Sequence, residues 1–134
     1  MRILLILSLL LFVVACCIPS MEFTGKPEGN TIMTGATVLA NGWAGLFSGV
    51  FGWYANPLWL LGLILAFIGK PKLGAASAVL AIAIACTTFS TFGKSIGTDE
   101  AGQNYIKLVR LLPGCYVWLA SLAVVPVCLF FKGK

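Results

Sequence analysis

The side chains that could carry acid, base or metal chemistry are few in this 134-residue chain. It has no histidine and only four acidic residues, so the commonest metal ligand and the usual general base are both missing. Asp99 and Glu100 are adjacent, and on a helix their side chains would point about 100° apart instead of converging on one substrate atom. We therefore predict no catalytic residue, no metal site, no bound cofactor and no enzymatic activity.

Five cysteines are the remaining reactive side chains. Cys16 and Cys17 are adjacent and the other three lie singly in apolar segments, without the paired spacing of a zinc site. Packing is the simplest role for them, because a free cysteine behaves as a small hydrophobic residue. The letters VVAC at 13–16 also resemble a lipobox, which makes Cys16 a candidate for lipidation.

The composition predicts a membrane protein. Hydrophobic residues make up 60% of the chain and charged residues 10%, and the mean hydropathy is +1.01. One small soluble core could not hide that much apolar surface, so lipid is the predicted partner of the apolar segments. The net charge of +5 comes from basic residues scattered between these segments. No basic cluster forms, and nucleic acid is not a predicted partner.

Alternating apolar and polar segments predict a single all-α transmembrane domain over residues 1–134. Residues 1–19 are a first transmembrane helix, a cleaved signal peptide or a lipoprotein-like segment, and all three interpretations stay open. Polar residues, Gly and Pro predict outer loops at 20–33 and 93–107. The further predicted transmembrane helices cover 54–69, 73–92 and 108–131.

Residues 34–53 form a glycine-rich segment that could span the membrane or lie at its outer surface. Its glycines recur at steps of three and four residues, so on an α-helix they would share one face: Gly42, Gly45, Gly49 and Gly52. A face of small residues lets another backbone approach closely within a membrane. This face is the candidate contact surface for helix packing or for a partner.

The distribution of charge favours four spans, with both termini cytoplasmic and the glycine-rich helix interfacial or re-entrant on the outer side. All four acidic residues then lie outside, and five basic residues lie inside: Arg2, Lys70, Lys72, Lys132 and Lys134. The positive-inside rule favours this small polytopic bundle. Five spans are the alternative, and they would place Lys70 and Lys72 outside.

Aromatic and polar residues mark the predicted ends of the helices. Four aromatic residues are predicted to anchor the chain at the membrane interface: Trp53, Tyr54, Trp59 and Trp118. Asn56 and Pro57 together are typical of a helix start. Asn41, Asn56 and the hydroxyl groups of 73–92 could line a narrow uncharged path.

Three short elements carry a resemblance to a known group of proteins: WYANPL at 53–58, DEAG at 99–102 and GCYVWLAS at 114–121. In them the chain resembles an uncharacterised family of small bacterial polytopic inner-membrane proteins, which has a WxANP element, a DEGG-like loop and a GYxLWLAS-like last helix. The chain departs from that pattern at Ala101 and Cys115. The resemblance implies a multi-pass protein of the bacterial inner membrane. It supplies no activity and no site residues.

Two functions are consistent with these patterns. The apolar segments contain no Asp, Glu, Lys or His, which argues against ion-coupled transport, because transporters place ionisable groups at bilayer depth. The first function is binding or scaffolding, as an accessory subunit that packs against another membrane protein or a second copy. The alternative is a channel-like protein or one that handles lipids or small uncharged solutes.

Overall fold

The computed structural model describes residues 2–26, 29–98 and 104–132. The Asp99–Glu100 pair, Ala101 and Lys134 therefore lie outside the described residues. In chain order the elements are α1 (Arg2–Cys17), β1 (Pro19–Lys26), β2 (Gly29–Thr34), α2 (Gly35–Asn41), 3₁₀ helices at Gly42–Ser48 and Gly52–Tyr54, α3 (Ala55–Phe67), α4 (Pro71–Cys86), a 3₁₀ helix at Thr87–Thr91, β3 (Ser95–Gly97), β4 (Tyr105–Leu111) and α5 (Pro113–Lys132).

Four apolar helices form a bundle in which α1 packs on α5, α3 packs on α4, and α4 packs on α5. Glycines allow the closest approach, between α3 and α4. A Cβ atom added at Gly74 would lie 2.8 Å from the carbonyl oxygen of Gly62. Small side chains at such positions let helix backbones pack in direct contact.

A buried polar network ties three of these helices together. Ser8 of α1 donates its hydroxyl hydrogen to the carbonyl oxygen of Ser121 in α5, at 2.7 Å. Trp59 of α3 donates its indole N–H to the Ser8 hydroxyl oxygen at 3.0 Å, and its ring stacks on that of Phe12 with the centroids 4.4 Å apart. These bonds fix the rotation of α1 and α3 relative to α5, because each bond has one acceptable geometry.

One end of the bundle is covered by a four-stranded antiparallel sheet with the strand order β2-β1-β4-β3. The strands β1 and β2 are consecutive in the chain, and so are β3 and β4. The central pairing of β1 with β4 joins these two pairs, with Thr24 opposite Lys107. Across the same pairing, Glu22 and Arg110 form an ion pair at 2.9 Å. A small core attaches the sheet to the start of α5 and consists of Phe23, Leu108, Leu111 and Cys115.

The prediction of an all-α bundle with four spans is wrong, and the five-span alternative is wrong with it. The two segments predicted as loops contain β1, β2 and β3, and β4 begins in one of them and takes the first residues of the predicted helix 108–131. Only two helices of the described chain are long and apolar enough to cross a membrane, Pro71–Thr91 and Pro113–Phe131. The apolar helices Arg2–Cys17 and Gly52–Phe67 are shorter.

The glycine-rich segment is also not one helix. The α2 helix has seven residues and is followed by a 3₁₀ helix of seven residues. Gly49 ends that 3₁₀ helix with a φ of 70°, in the left-handed region that favours glycine. Two short helices joined in this way give a compact segment beside the sheet instead of a straight rod.

The two ends of the bundle differ in charge. Four basic residues lie at the end that holds the turn between α3 and α4: Arg2, Lys70, Lys72 and Lys132. There the start of α4 meets the end of α5, since a Cβ atom added at Gly74 would lie 3.4 Å from a methyl carbon of Leu129. At the other end α1 stops where α5 begins, with Gly114 against the carbonyl oxygen of Pro19. Glu22, the acidic residue among the described positions, lies in β1 at this sheet end, together with the basic residues Lys94, Lys107 and Arg110.

Candidate functional site

A chamber of about 460 Å³ lies between the sheet, the segment from Gly35 to Trp53 and the sheet end of the helix bundle. That volume is within the range of pockets that bind small organic molecules, about 300–1,000 Å³. All four strands and the helices α1, α2, α3 and α5 contribute residues to its wall. The chamber therefore exists only when the sheet and the bundle are assembled together.

The wall of the chamber is mostly apolar. The sheet contributes two methionines and several larger residues: Met21, Phe23, Met33, Ile106 and Leu108. The helices contribute Phe12, Ala15, Val38, Leu39, Trp53 and Trp118. No charged side chain of the described residues lines it. A charged ligand would lose its hydration there without gaining a partner, so the wall selects against charge.

The uncharged polar residues noted in the sequence meet at this chamber. Asn41, Asn56, Thr88 and Thr91 all line it, although they come from three different elements. Their hydrogen bonds stay within the protein. Asn56 accepts the indole N–H of Trp118 at 2.8 Å, and the amide of Asn41 donates to the carbonyl oxygen of Thr37 at 2.9 Å. Every buried side-chain nitrogen and oxygen of the described residues has a hydrogen-bond partner, so none of them requires a ligand.

The candidate glycine face does not form one outward surface. A Cβ atom added at Gly42 would collide with the Trp53 ring, and one at Gly52 would collide with the Thr88 hydroxyl. At Gly45 it would lie 2.9 Å from the carbonyl oxygen of Val50. These glycines let the chain fold closely against itself and line the chamber. Contact of the same glycines with a partner stays a prediction.

The four candidate interface aromatics occupy different positions. Trp59 is a core residue with 3% of its surface exposed. Trp53 donates its indole N–H to the carbonyl oxygen of Leu39 at 2.7 Å. Tyr54 donates its hydroxyl hydrogen to the carbonyl oxygen of Trp43 at 3.1 Å. These two bonds hold the glycine-rich segment in place over the chamber.

The predicted helix start at Asn56 and Pro57 lies within the first turn of α3, which begins at Ala55. The cap position is Tyr54, and its side chain makes no capping hydrogen bond. The Asn56 side chain instead accepts the indole N–H of Trp118 on the chamber wall. Asn56 therefore forms a contact between two helices and not the helix cap that the sequence predicts.

Cys16, the candidate for lipidation, lies at the end of α1 and lines the chamber. Its thiol is half-buried, and the adjacent Cys17 is exposed. Cleavage before Cys16 would remove Leu5 and Ser8, which lie in the bundle core. Lipidation of Cys16 stays a prediction.

The mouth of the chamber lies between the glycine-rich segment and β3. Of all the lining residues, only five are exposed, and they are confined to these two places: Asn41, Trp43, Ala44, Gly97 and Thr98. The remaining lining residues are buried or half-buried. A ligand would therefore enter between the 3₁₀ helix Gly42–Ser48 and the end of β3.

Sequence reasoning missed the sheet half of the chamber. Met21, Phe23 and Met33 were within a predicted loop, and their side chains line the chamber because β1 and β2 pair. Within the described residues, no group of three His, Cys, Asp or Glu side chains could hold a metal ion. Comparison with known protein families, curated proteins and solved structures finds no match to this chain. The family resemblance noted in the sequence therefore stays a prediction.

Proposed function

We propose that this chain is a multi-pass protein of the bacterial inner membrane that binds an uncharged, largely apolar molecule in the chamber. The observation that carries the proposal is a cavity of about 460 Å³ whose described wall holds no charged side chain. Apolar walls with a few fixed polar groups are the usual surroundings of a bound small molecule. Among the functions expected from the sequence, binding of a lipid or small uncharged solute fits this cavity best.

Exposed apolar side chains support a position of the bundle in lipid. Large hydrophobic residues are exposed on the outer faces of the helices, among them Ile3 (80% exposed), Phe130 (66%) and Leu80 (51%). Water-soluble monomers rarely expose contiguous apolar patches of this kind. Pro71–Thr91 and Pro113–Phe131 would cross the bilayer, and α1 and α3 would pack beside them.

The charged ends support one orientation. Among the described residues, the turn end carries four basic residues without an acidic neighbour, and the sheet side carries four basic residues together with Glu22, which pairs with Arg110. We place the turn, with its unpaired basic residues, in the cytoplasm and the sheet outside.

Membrane-impermeant thiol labelling tests this orientation in a variant whose five cysteines are replaced by alanine. We expect Ser95→Cys, at the sheet, to be labelled in intact cells. Lys70→Cys, at the turn, should be labelled only after the membrane is permeabilised. Labelling of Lys70→Cys but not Ser95→Cys in intact cells would contradict the proposed orientation.

Filling part of the chamber is expected to weaken ligand binding. Val38 is half-buried and lines the chamber, whereas Ala40, on the same helix, is exposed and does not line it. Val38→Phe should weaken binding of an uncharged long-chain alcohol by about tenfold or more, because extra atoms in a packed site cost about 1–3 kcal/mol. Ala40→Phe should bind like the natural protein.

Native mass spectrometry of the detergent-solubilised protein measures this binding. A saturable adduct of one alcohol per chain distinguishes a site from unspecific uptake by the micelle. If no saturable adduct forms, or if the Val38→Phe and Ala40→Phe variants bind equally well, the chamber is not a binding site and the proposed function is wrong.

A second function, as an accessory subunit, has one specific feature in its favour. β2 is an edge strand, and its residues GNTIMT carry no charge. Ile32 on this strand is 59% exposed. Edge strands are usually protected from pairing by charges, Pro or irregular geometry, and a partner strand or a second copy could pair here.

Ile32→Lys tests the accessory function, because a charged side chain on an edge opposes the pairing of another strand. If a partner protein or second copy binds this edge, the variant should lose its co-purification in stoichiometric amount, while alcohol binding is unchanged. Ala40→Lys adds the same charge at an exposed position outside the sheet, and it should retain the partner. A stoichiometric partner retained by Ile32→Lys would bind elsewhere.

A further inference from the structure

We infer that the chamber is loaded sideways from the bilayer, and that its occupant is the hydrocarbon chain of a membrane lipid. This inference rests on the proposed function, since it names the ligand class and the route for the same chamber. Three features carry it: the satisfied polar groups of the interior, the apolar surface at the mouth, and a long uncharged stretch of sequence that connects the mouth to α3.

The interior offers shape and apolar contact without free hydrogen-bonding groups. Asn56 and Trp118 bond each other, the Trp53 indole N–H bonds the backbone of Leu39, and no buried side-chain polar atom of the described residues lacks a partner. A ligand rich in donors and acceptors would therefore leave its own groups unpaired, which is costly in an apolar site. A hydrocarbon chain has no such groups.

Flexible side chains suit the same occupant. Met21 and Met33 reach the chamber from neighbouring strands. Methionine is unbranched and polarizable, so it adapts to irregular apolar surfaces. A chain that can bend is accommodated by such a wall without one fixed shape.

The mouth is bordered by large exposed apolar residues. Trp43 is 54% exposed and lines the opening, and Phe47, on the same 3₁₀ helix, is 83% exposed. Leu46 and Phe51 nearby are 48% and 47% exposed. A ridge of this composition would be unfavourable in water and favourable at the boundary between headgroups and hydrocarbon, where Trp and Phe are common.

The sequence allows this ridge to meet lipid. No charged residue occurs from Gly29 to Gly69, so no charged side chain of this stretch separates the ridge from the outer face of α3. On that face Leu60, Leu61 and Ile64 are exposed. The opposite border of the mouth, at Gly97 and Thr98, is small and uncharged. A lipid chain could therefore pass from the bilayer into the chamber without crossing a charged side chain of the described residues.

A photoactivatable phospholipid tests the route. The full chain would be placed in nanodiscs that contain a phospholipid with a diazirine near the end of one acyl chain, and the crosslinked peptides would be identified by mass spectrometry. We expect crosslinks to Met21 or Met33, which lie on the sheet and line the chamber. An acyl chain confined to the bilayer around the bundle would not reach these residues.

Narrowing the mouth should remove those crosslinks selectively. Ala44 is exposed and lines the mouth, whereas Ala40, four residues earlier, is exposed and does not. Ala44→Phe should lower crosslinking to the sheet methionines by about tenfold, and Ala40→Phe should leave it unchanged. Thr98→Phe, on the other border of the mouth, provides a second variant with the same expected loss.

The outcomes separate this inference from the proposed function. If the photoactivatable chain labels only the outer faces of the helices, such as Leu80, while the long-chain alcohol still forms a saturable adduct in detergent, loading from the bilayer is wrong and binding in the chamber stands. If the alcohol adduct is also absent, the proposed function is wrong. Equal sheet crosslinking in the Ala44→Phe and Ala40→Phe variants would show that the chain enters by another path and overturn the lateral route.

Discussion

Replacement of Trp59 by alanine is expected to lower the free energy of unfolding by about 3–5 kcal/mol. The Trp59 side chain is 3% exposed, stacks on Phe12 and donates a hydrogen bond to Ser8. Truncation removes contacts with α1 and leaves a cavity that the packed helices fill only partly. The free energy can be measured by unfolding the protein with SDS in mixed micelles.

Two further variants separate the causes of that loss. Trp43→Ala truncates the same residue type at a position that is 54% exposed, and its effect should stay below about 1 kcal/mol. Trp59→Phe keeps an aromatic ring beside Phe12 and removes the indole N–H, which should cost about 1 kcal/mol for the lost hydrogen bond plus the effect of the smaller ring. Equal losses for Trp59→Ala and Trp43→Ala would mean that Trp59 is not in the core of the bundle.

Replacement of Gly35 by alanine should cost about 3 kcal/mol, at the upper end of the range for overpacking. Its added Cβ would collide with the carbonyl group of Ala15 and lie 2.9 Å from the Cα of Cys16. Both neighbours are backbone atoms of α1, so no side-chain rotation can relieve the collision. Gly35 also donates its backbone N–H to the carbonyl oxygen of Ile18 at 3.1 Å, which holds the start of α2 against this turn.

Ala36→Ser is the matched control for Gly35→Ala, since it also adds one heavy atom but at an exposed neighbouring position. Its effect on the free energy of unfolding should stay within about 0.5 kcal/mol. Because Gly35 lines the chamber as well, Gly35→Ala should also weaken binding of the long-chain alcohol. A stable Gly35→Ala variant would contradict the close contact between α1 and α2.

The strands illustrate what local sequence could not indicate. Residues 19–34 contain Gly, Pro and acidic residues that are typical of a loop, and residues 105–111 are apolar enough to extend the helix that follows. Yet β1 pairs with β4, a strand that follows α4 in the sequence and is about 80 residues away. The stability of this pairing comes from contacts between distant segments, including Phe23 with Leu108, and no pattern within either segment contains it.

The site illustrates the same limit for individual residues. Asn56 followed by Pro57 predicts a helix start, but the Asn56 side chain accepts a hydrogen bond from Trp118 on another helix. The spacing of the glycines predicts one shared face only if residues 34–53 form a continuous α-helix. The chain there forms α2, two 3₁₀ helices and a turn at Gly49. The glycines instead allow close contact with Trp53, Val50 and Thr88.

Three properties can be read from the order of residues alone: long segments are apolar and free of charge, basic residues flank them, and polar residues suited to acid, base or metal chemistry are scarce. Those properties follow from the composition and from the preference of each side chain for water or for hydrocarbon. That preference does not depend on distant parts of the chain. The folded chain adds two properties: the polar segments pair into one sheet, and this sheet and the glycine-rich segment enclose a chamber whose described wall has no charged side chain. Strand pairing and cavity shape depend on which distant surfaces meet, and that choice is made by packing of the whole chain.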